Sequence, residues 1–287
     1  MSEGNATTPT DDETNGADTD AIREAFETEL ATHERLVLCL DFDGTLAPIV
    51  QNPDDAAIRA GNRESIRALR DHPAVTVAVV SGRALDDVRG RVGVDGIGYV
   101  GNAGLERVDG DGIIVHPDAK RTEERLERVR EALVDRLGWA SGVSVEDKRW
   151  SLAVHTRDVP DDHQDRVAET VGRIADRVGD LHVSRGHEVL EVGPDTDANK
   201  GAAVAALADS EAAASDGEPV ASSDALVVYV GDDQSDQSAL RTAAERGIAV
   251  YVGEDGPDDA HHVASPEAVS DLLDWLATEG VDRLAAD

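Results

Sequence analysis

Cysteine, lysine and long apolar runs are all scarce in this sequence of 287 residues. Its one cysteine, Cys39, excludes a disulfide within the chain and is typical of a reducing compartment. Apolar runs stay below the roughly 18 residues that a membrane-spanning helix needs, so we expect no membrane partner. The acidic N-terminal segment lacks the basic start and apolar block of a secretory signal. These features predict a cytoplasmic protein.

Positive charge is also scarce. The chain has 27 Lys and Arg against 60 Asp and Glu, which gives a formal net charge of −33 and disfavours nucleic acid as a partner. The acidic residues are spread along the chain, and its lysines are Lys120, Lys148 and Lys200. This composition is typical of halophilic proteins, whose dense acidic surface stays soluble in a salt-rich cytoplasm because salt screens its charges. The alternative interpretation is an acidic interaction protein.

Short buried strands alternate with helices over most of the chain. Continuous apolar runs predict strands at 36–40, 74–83, 96–104, 225–236 and 247–253. Helical patterns occur at 21–33, 62–71, 85–92, 201–208, 235–246 and 266–279. Buried strands that alternate with helices predict an α/β fold, a Rossmann-like parallel sheet with helices on both faces.

The middle of the chain has a different pattern. A strand at 112–117 and a helix at 118–137 precede two strands in 142–157, a helix at 161–178 and a hairpin at 181–192. This predicts an α+β cap domain inserted into the parallel domain. We therefore place a disordered acidic tail at 1–20, the core domain at 21–104 and 186–287, the cap at 105–185 and a flexible core loop at 210–224.

Polar side chains follow several predicted strands, at the edge where parallel sheets bind their ligands. They are Asp41 and Asp43 after the first strand, Ser81 after the second, Asp232, Asp233 and Asp236 after the fourth, and Lys200 at a helix start. Phosphoryl transfer needs such groups. A carboxylate attacks phosphorus, a second carboxylate moves protons, Mg²⁺ takes oxygen ligands, and a hydroxyl and a lysine hold the phosphoryl oxygens.

The segments DFDGTLAP, VVSGR, NKG and GDDQSD occur in this order along the chain. They resemble the four motifs of the haloacid dehalogenase (HAD) superfamily of phosphatases. The resemblance implies Mg²⁺-dependent hydrolysis through an aspartyl phosphate, with Asp41 as nucleophile and Asp43 as general acid and base. It further implies phosphate binding by Ser81, Gly82 and the catalytic Lys200. The implied metal-site residues are Asp41, the backbone carbonyl of Asp43 and Asp232 as ligands, with Asp236 in the outer shell, whereas Asp233 is either a ligand or a structural acceptor.

A finer resemblance involves the cap and its borders. The segments GNAGLE, VEDKRWSLAVHTR and GHEVLEVGP are similar to those of trehalose-6-phosphate phosphatases. The implied substrate is trehalose 6-phosphate. The implied substrate-binding residues are Asn102, Gly104, Glu106, Lys148, Arg157 and Glu191. Ala103 departs from the family, which has His in this turn, and Ser235 and Gln237 replace Thr and Glu in the fourth motif.

Because of Ala103, other sugar phosphates stay open as substrates. Glucosyl or mannosyl 3-phosphoglycerate and sucrose 6-phosphate are the main alternatives, and hexose phosphates are another. A different class of function is a non-catalytic partner of a sugar-phosphate synthase. The sequence carries no signal for the oligomeric state.

Overall fold

The structure is a computed structural model that describes residues 11–110, 112–186, 188–213 and 225–285. The chain divides into two compact units. The first comprises Met1–Val79, Arg91–Ile97 and Val204–Asp287, and the second comprises Val80–Gly90 and Gly98–Ala203.

Strands and helices alternate along the described residues. The strands are β1 (Arg35–Leu40), β2 (Val75–Val80), β3 (Gly98–Gly101), β4 (Glu106–Asp109), β5 (Gly112–Val115), β6 (Ser144–Asp147), β7 (Leu152–His155), β8 (Leu181–Gly186), β9 (Val189–Pro194), β10 (Ala225–Gly231), β11 (Gly247–Val252) and β12 (His261–Val263). The α-helices are α1 (Asp11–Leu30), α2 (Ala60–Arg70), α3 (Leu85–Val92), α4 (Pro117–Leu137), α5 (Asp161–Val178), α6 (Lys200–Ala213), α7 (Gln237–Arg246) and α8 (Pro266–Trp275). In the described part of the chain, no helix is both long enough and apolar enough to span a membrane.

A parallel sheet forms the centre of the first unit, with the strand order β12-β11-β10-β1-β2. Strand β1 is central, and its residues 36–40 are buried. Leu40 pairs with Val230 of β10, so these two parallel strands end side by side. The α/β fold with a mainly parallel sheet is therefore confirmed, because apolar strands buried on both faces leave a clear signal in the sequence.

The second unit contains two antiparallel arrangements. Strand β4 pairs with both β3 and β5, and a separate sheet has the order β6-β7-β9-β8. Apolar residues of α4 and α5 pack with this separate sheet into one core that includes Leu133, Val154 and Val171. Strand β9 pairs with β7 and β8, so this sheet continues to Pro194. The unit thus extends past the cap boundary that the sequence placed at 185.

Helices α1 and α6 are longer than their sequence patterns predict. Helix α1 begins at Asp11, inside the segment predicted to be a disordered tail, and residues 1–10 lie outside the described residues. Helix α6 extends to Ala213 through good helix formers, so 210–213 are helical. The rest of the predicted loop, 214–224, lies outside the described residues.

Candidate active site

Three carboxylates lie together in the first unit where β1 and β10 end. One oxygen each from Asp41, Asp232 and Asp236 lies within 4.8 Å of the others. Asp41 and Asp236 are buried, and Asp232 is half-buried. The backbone N–H of Asp41 donates to the carbonyl of Val230 at 2.9 Å, which continues the pairing of the two strands. The parallel register thus brings together carboxylates that are about 190 residues apart in sequence, as expected at the carboxyl edge of such a sheet.

The turn after β1 approaches the Asp232 carboxylate closely. Gly44 has a φ of +76°, and a Cβ atom built there would lie 1.9 Å from Oδ2 of Asp232. The backbone N–H of Gly44 donates to the carbonyl of Ala47 at 2.8 Å, which closes the turn. Only glycine combines this backbone conformation with the space that the carboxylate occupies. The Asp-Gly step of the first motif therefore has a structural reason.

Asp236 is fixed by hydrogen bonds to both of its carboxylate oxygens. The hydroxyl of Tyr229 donates to Oδ1 at 2.5 Å, and the backbone N–H groups of Asp232 and Asp233 donate to Oδ2 at 3.1 and 3.0 Å. Burial, followed by the charges of Asp236 and Asp41, raises the pKa of Tyr229 well above its usual value. The hydroxyl therefore keeps its proton and remains a donor to Asp236.

Asp233 has a structural contact in the same turn. Its Oδ1 accepts a hydrogen bond from the backbone N–H of Gln234 at 2.6 Å, and it caps the short helix Gln234–Asp236. Asp233 is exposed, whereas Asp236 is fully buried. Of the two roles that the sequence leaves open for Asp233, these contacts favour the structural acceptor.

The carboxylate cluster suits a hard divalent cation. Mg²⁺ prefers oxygen ligands, and three anionic side chains so close together are unfavourable unless a cation offsets their charge. Gly44 leaves room for the Asp232 carboxylate inside this cluster. The side chain of Asp43 does not belong to the cluster of described residues, and its predicted ligand atom is the backbone carbonyl oxygen. The donor set therefore fits the predicted Mg²⁺.

The predicted phosphate-binding residues lie in the second unit. Ser81 is buried directly after β2, its N–H donates to the carbonyl of Val100 at 3.0 Å, and its Oγ accepts from the N–H of Arg83 at 3.2 Å. Lys200 is the first residue of α6 and is 3% exposed. Oδ1 of Asn199 accepts from the N–H of Ala202 at 2.9 Å and caps the same helix.

Asn102 and Glu106 are at the centre of a buried polar network. The side-chain amide of Asn102 donates to Oε1 of Glu106 at 2.6 Å and to the backbone carbonyl of Lys148 at 3.0 Å. Its Oδ1 accepts from the hydroxyl of Ser151 at 2.7 Å. Glu106 also accepts from Nε1 of Trp150 at 3.0 Å and from the N–H of Leu85 at 2.9 Å. Both residues were predicted as substrate contacts, and in the structure both side chains are hydrogen-bonded to several partners within the protein.

Gly104 follows the network in a tight turn. Its φ is +110°, and an added Cβ would lie 2.9 Å from the carbonyl oxygen of Asn199, the residue before Lys200. Ala103, which stands at the His position of the family turn, also has a positive φ of 52°. The turn therefore packs against the segment that leads into α6. Close backbone packing explains Gly104 without a substrate contact.

Lys148 and Glu191 come together on the antiparallel sheet of the second unit. Nζ of Lys148 donates to Oε1 of Glu191 at 2.9 Å and to the backbone carbonyl of Gly82 at 3.1 Å. The Lys148 side chain is only 10% exposed, so the pair is partly shielded from water. Arg157 makes an ion pair with Glu188 at 2.6 Å. Of the predicted cap contacts, Lys148 and Glu191 thus form one polar pair next to Gly82 of the second motif.

Sequence reasoning missed three functional candidates that the structure identifies by contact. Tyr229 precedes the fourth motif, while Trp150 and Ser151 follow Lys148. Tyr229 lies in an apolar strand pattern, so its hydroxyl partner is invisible until the turn that carries Asp236 is placed. The signal for Trp150 was its polar surroundings in VEDKRWS, because a buried Trp usually finds an acceptor for its N–H.

Comparison with solved structures first defines the class of fold. The C-terminal domain of Candida albicans trehalose-6-phosphate phosphatase matches with a TM-score of 0.77 at 23% identity, covering 89% of this chain and 96% of that one. A HAD-superfamily phosphatase from Bacteroides thetaiotaomicron matches with a TM-score of 0.54 at 18% identity, covering 87% and 97%. The fold is that of the HAD phosphatases, as the order of the four motifs predicts.

Sequence comparison then defines the family. The profile of the trehalose-phosphatase family matches residues 39–264, so the chain belongs to that family. A trehalose-phosphate phosphatase of Mycobacterium leprae is 37% identical over 269 residues, which are 91% of this chain and 62% of that protein. The chain spans less than two thirds of the length of the curated relatives that it matches first.

Proposed function

We propose that this chain hydrolyses trehalose 6-phosphate to trehalose and phosphate. The observation that carries the proposal is the cluster of Asp41, Asp232 and Asp236 at the ends of β1 and β10 in a chain of the trehalose-phosphatase family. The name of the Mycobacterium leprae relative supports the choice of substrate. The aspartate positions support the choice of chemistry, because phosphoryl transfer to a carboxylate needs a nucleophile beside a cation site.

The reaction proceeds in two displacements at phosphorus. The carboxylate of Asp41 attacks the phosphorus atom, and the bond to the sugar oxygen breaks while Asp43 gives that oxygen a proton. Asp43 then takes a proton from a water molecule, whose oxygen attacks the aspartyl phosphate. The bond between phosphorus and Asp41 breaks, phosphate leaves, and both carboxylates return to their starting states.

The other motif residues bind the phosphoryl group. Ser81, Gly82 and Lys200 hold its oxygens by hydrogen bonds and positive charge. Asp41, the backbone carbonyl of Asp43 and Asp232 would hold Mg²⁺, with Asp236 in its outer shell. When bound, this ion neutralises part of the negative charge on the phosphoryl oxygens.

Recognition of the sugar rests mainly on Lys148 and Glu191. Their ion pair offers a cationic donor and an anionic acceptor within 2.9 Å of each other, and sugar hydroxyls can use both. Arg157 remains a proposed contact of the sugar phosphate. For Asn102, Gly104 and Glu106 we now propose a positioning role, since their contacts hold the Lys148–Ser151 loop and the turn near Lys200.

The test is phosphate release from a panel of sugar phosphates with Mg²⁺ in molar KCl. The panel contains trehalose 6-phosphate, sucrose 6-phosphate, glucosyl 3-phosphoglycerate and glucose 6-phosphate. We expect a strong preference for trehalose 6-phosphate. Activity centred on another member would keep the chemistry and reject the substrate.

Two variants separate chemistry from folding in this assay. Asp41→Asn should abolish turnover of every substrate, because an amide cannot act as the nucleophile. The matched control is Asp271→Asn, which makes the same change on an exposed position of α8 and should retain activity. Substantial turnover by Asp41→Asn would reject Asp41 as nucleophile. An inactive wild-type protein that still binds trehalose 6-phosphate would favour the non-catalytic partner of a synthase.

A further inference from the structure

Four arginines line a groove in the second unit, beside the C-terminal end of α4 and along α5. The groove has a volume of about 260 Å³, and Arg136, Trp139, Arg166, Thr170, Arg173 and Arg177 line it. We call it the arginine groove. Arg166, Arg173 and Arg177 are seven and four residues apart on α5, so they share one face of the helix. At about 1.5 Å per residue, this cationic row is on the order of 16 Å long.

The guanidinium of Arg166 is held in a defined orientation. It lies over the ring of Trp139, 3.9 Å from the ring centroid, and the ring of His163 packs edge-on against the same tryptophan at 5.4 Å. Such cation–π stacking leaves the N–H groups at the edge of the guanidinium available as donors. Trp139 is 36% exposed, so the stacked pair faces the solvent. The arrangement orients an arginine in advance of any ligand.

One arginine of the groove has a carboxylate partner, since Nε of Arg136 lies 3.2 Å from Oδ2 of Asp135. Among the described residues, Arg166, Arg173 and Arg177 have no carboxylate within the ion-pair distance of 4.0 Å, although Asp and Glu outnumber Lys and Arg by 60 to 27. Arg173 donates to the Thr170 hydroxyl at 3.3 Å instead. Some arginines of the same unit do have such partners, such as Arg121 with Asp118, Arg125 with Asp180 and Arg130 with Glu127.

We propose that the arginine groove binds a small, multiply charged phosphate compound, such as a linear oligophosphate. Each guanidinium can hold a phosphate with two parallel hydrogen bonds, and the row of arginines is longer than a single phosphate. At 1 M salt, interactions between charges are screened beyond about 3 Å, so binding depends on direct contacts. An oligophosphate makes such contacts at several positions at once. The groove volume of about 260 Å³ lies just below the roughly 300–1,000 Å³ of pockets for drug-sized ligands, so the groove suits a small ligand.

The groove residues lie outside the four motifs and outside the residues proposed to bind the sugar phosphate. Arg166, Arg173 and Arg177 all belong to α5, whereas Lys148 and Glu191 belong to the loop after β6 and to β9. A ligand in the groove therefore adds a second site to the chain. Loss of that site should leave hydrolysis of the substrate unchanged.

The test is titration of the full chain with tripolyphosphate, without Mg²⁺, at low and at molar KCl. Calorimetry should give one site per chain, and tryptophan fluorescence should change because Arg166 stacks on Trp139. Trp139→Phe should remove the fluorescence change. The double variant Arg166→Gln with Arg173→Gln should weaken binding at least about tenfold. ATP is the second probe and carries the same phosphate chain as tripolyphosphate. A difference in affinity between the two therefore shows whether the groove favours a nucleotide or a plain oligophosphate.

The matched control is the double variant Arg121→Gln with Arg130→Gln. It removes the same charge from the same unit, at positions whose arginines already have carboxylate partners. It should bind tripolyphosphate like the wild type. Three outcomes would overturn the proposal: no saturable binding in the millimolar range, equal losses in both double variants, or tighter binding of a poly-aspartate peptide than of tripolyphosphate. The last result would assign the groove to an acidic protein segment.

Discussion

At the level of single residues, Tyr229 is the donor that orients Asp236. Its hydroxyl donates to that carboxylate at 2.5 Å, a shorter distance than those from the N–H groups of Asp232 and Asp233, and both Tyr229 and Asp236 are fully buried. A carboxylate that binds a metal is held in place by such partners, and their loss commonly lowers metal affinity. Tyr229 thus acts on the predicted metal site through Asp236.

We predict that Tyr229→Phe weakens Mg²⁺ binding by about tenfold, because Asp236 loses one of its fixed donors. Unfolding should also become easier by about 1–3 kcal/mol, since a buried acceptor is left with fewer partners. Calorimetric titration with Mg²⁺ and denaturant unfolding measure the two effects. Tyr251→Phe is the control, as Tyr251 is a half-buried tyrosine of neighbouring β11. Equal Mg²⁺ affinity in the wild type and Tyr229→Phe would contradict the positioning role.

Gly44 is the second residue whose identity follows from contact. We predict that Gly44→Ala lowers the free energy of unfolding by about 1–3 kcal/mol through backbone strain alone. The new methyl group also displaces the Asp232 carboxylate, which adds to the loss of stability. Mg²⁺ affinity should fall in the same titration. The control is Gly172→Ala in α5, where nothing lies within 4 Å of the added Cβ. That change should stabilise the helix by about 0.5–1 kcal/mol. A neutral Gly44→Ala would show that the turn adapts.

At the level of structural elements, the loop between β6 and β7 depends on contacts from far along the chain. Asn102 binds the Lys148 carbonyl and the Ser151 hydroxyl, and Glu106 binds Trp150, 44 residues away in sequence. These contacts fix the backbone on either side of Arg149, which has a positive φ of 71°. The loop therefore presents Lys148 to Glu191 from a rigid frame.

We predict that Lys148→Ala lowers kcat/KM for trehalose 6-phosphate by about ten- to a hundredfold, as expected for the loss of a charged hydrogen-bond donor. The loss for p-nitrophenyl phosphate should be much smaller, because that substrate lacks the sugar. Lys120→Ala is the control, since Lys120 is an exposed lysine of α4. Equal losses on both substrates would place Lys148 outside sugar recognition and leave it as a partner of Gly82.

At the level of the whole molecule, the net charge of −33 sets the conditions for stability. So many like charges on a compact chain repel one another, and the repulsion is relieved when the chain expands on unfolding. Salt screens the repulsion in the folded state. The composition and the scarcity of lysine predict a halophilic setting.

We predict that the midpoint of thermal unfolding rises steeply between low and molar KCl. Circular dichroism during heating measures the midpoint. Sucrose at equal osmolality is the control, because it stabilises proteins by exclusion from their surface without screening charge. The rise should be larger in KCl than in sucrose. A midpoint that is independent of KCl, or that falls, would reject the screening argument and the halophilic setting with it.

Much of the fold and part of the site could be predicted from sequence because their signals are local. Apolar runs predicted the parallel strands. Helical periodicity predicted α3 and α5, which begin and end at the predicted residues. The four motifs predicted the HAD class and named the three carboxylates that lie together. Each of these signals is contained in a short segment, so no long-range contact is needed to interpret it.

Tertiary contacts decided the rest. Pairing of β9 with β7 and β8 extends the cap sheet past the predicted boundary, because strand partners are chosen across the chain. Asn102 and Glu106 have internal partners, and Tyr229 reaches Asp236, only once distant segments meet. The sequence thus determines which chemical groups are present at the strand ends. Their hydrogen-bond partners, and with them the difference between a substrate contact and a positioning residue, depend on packing.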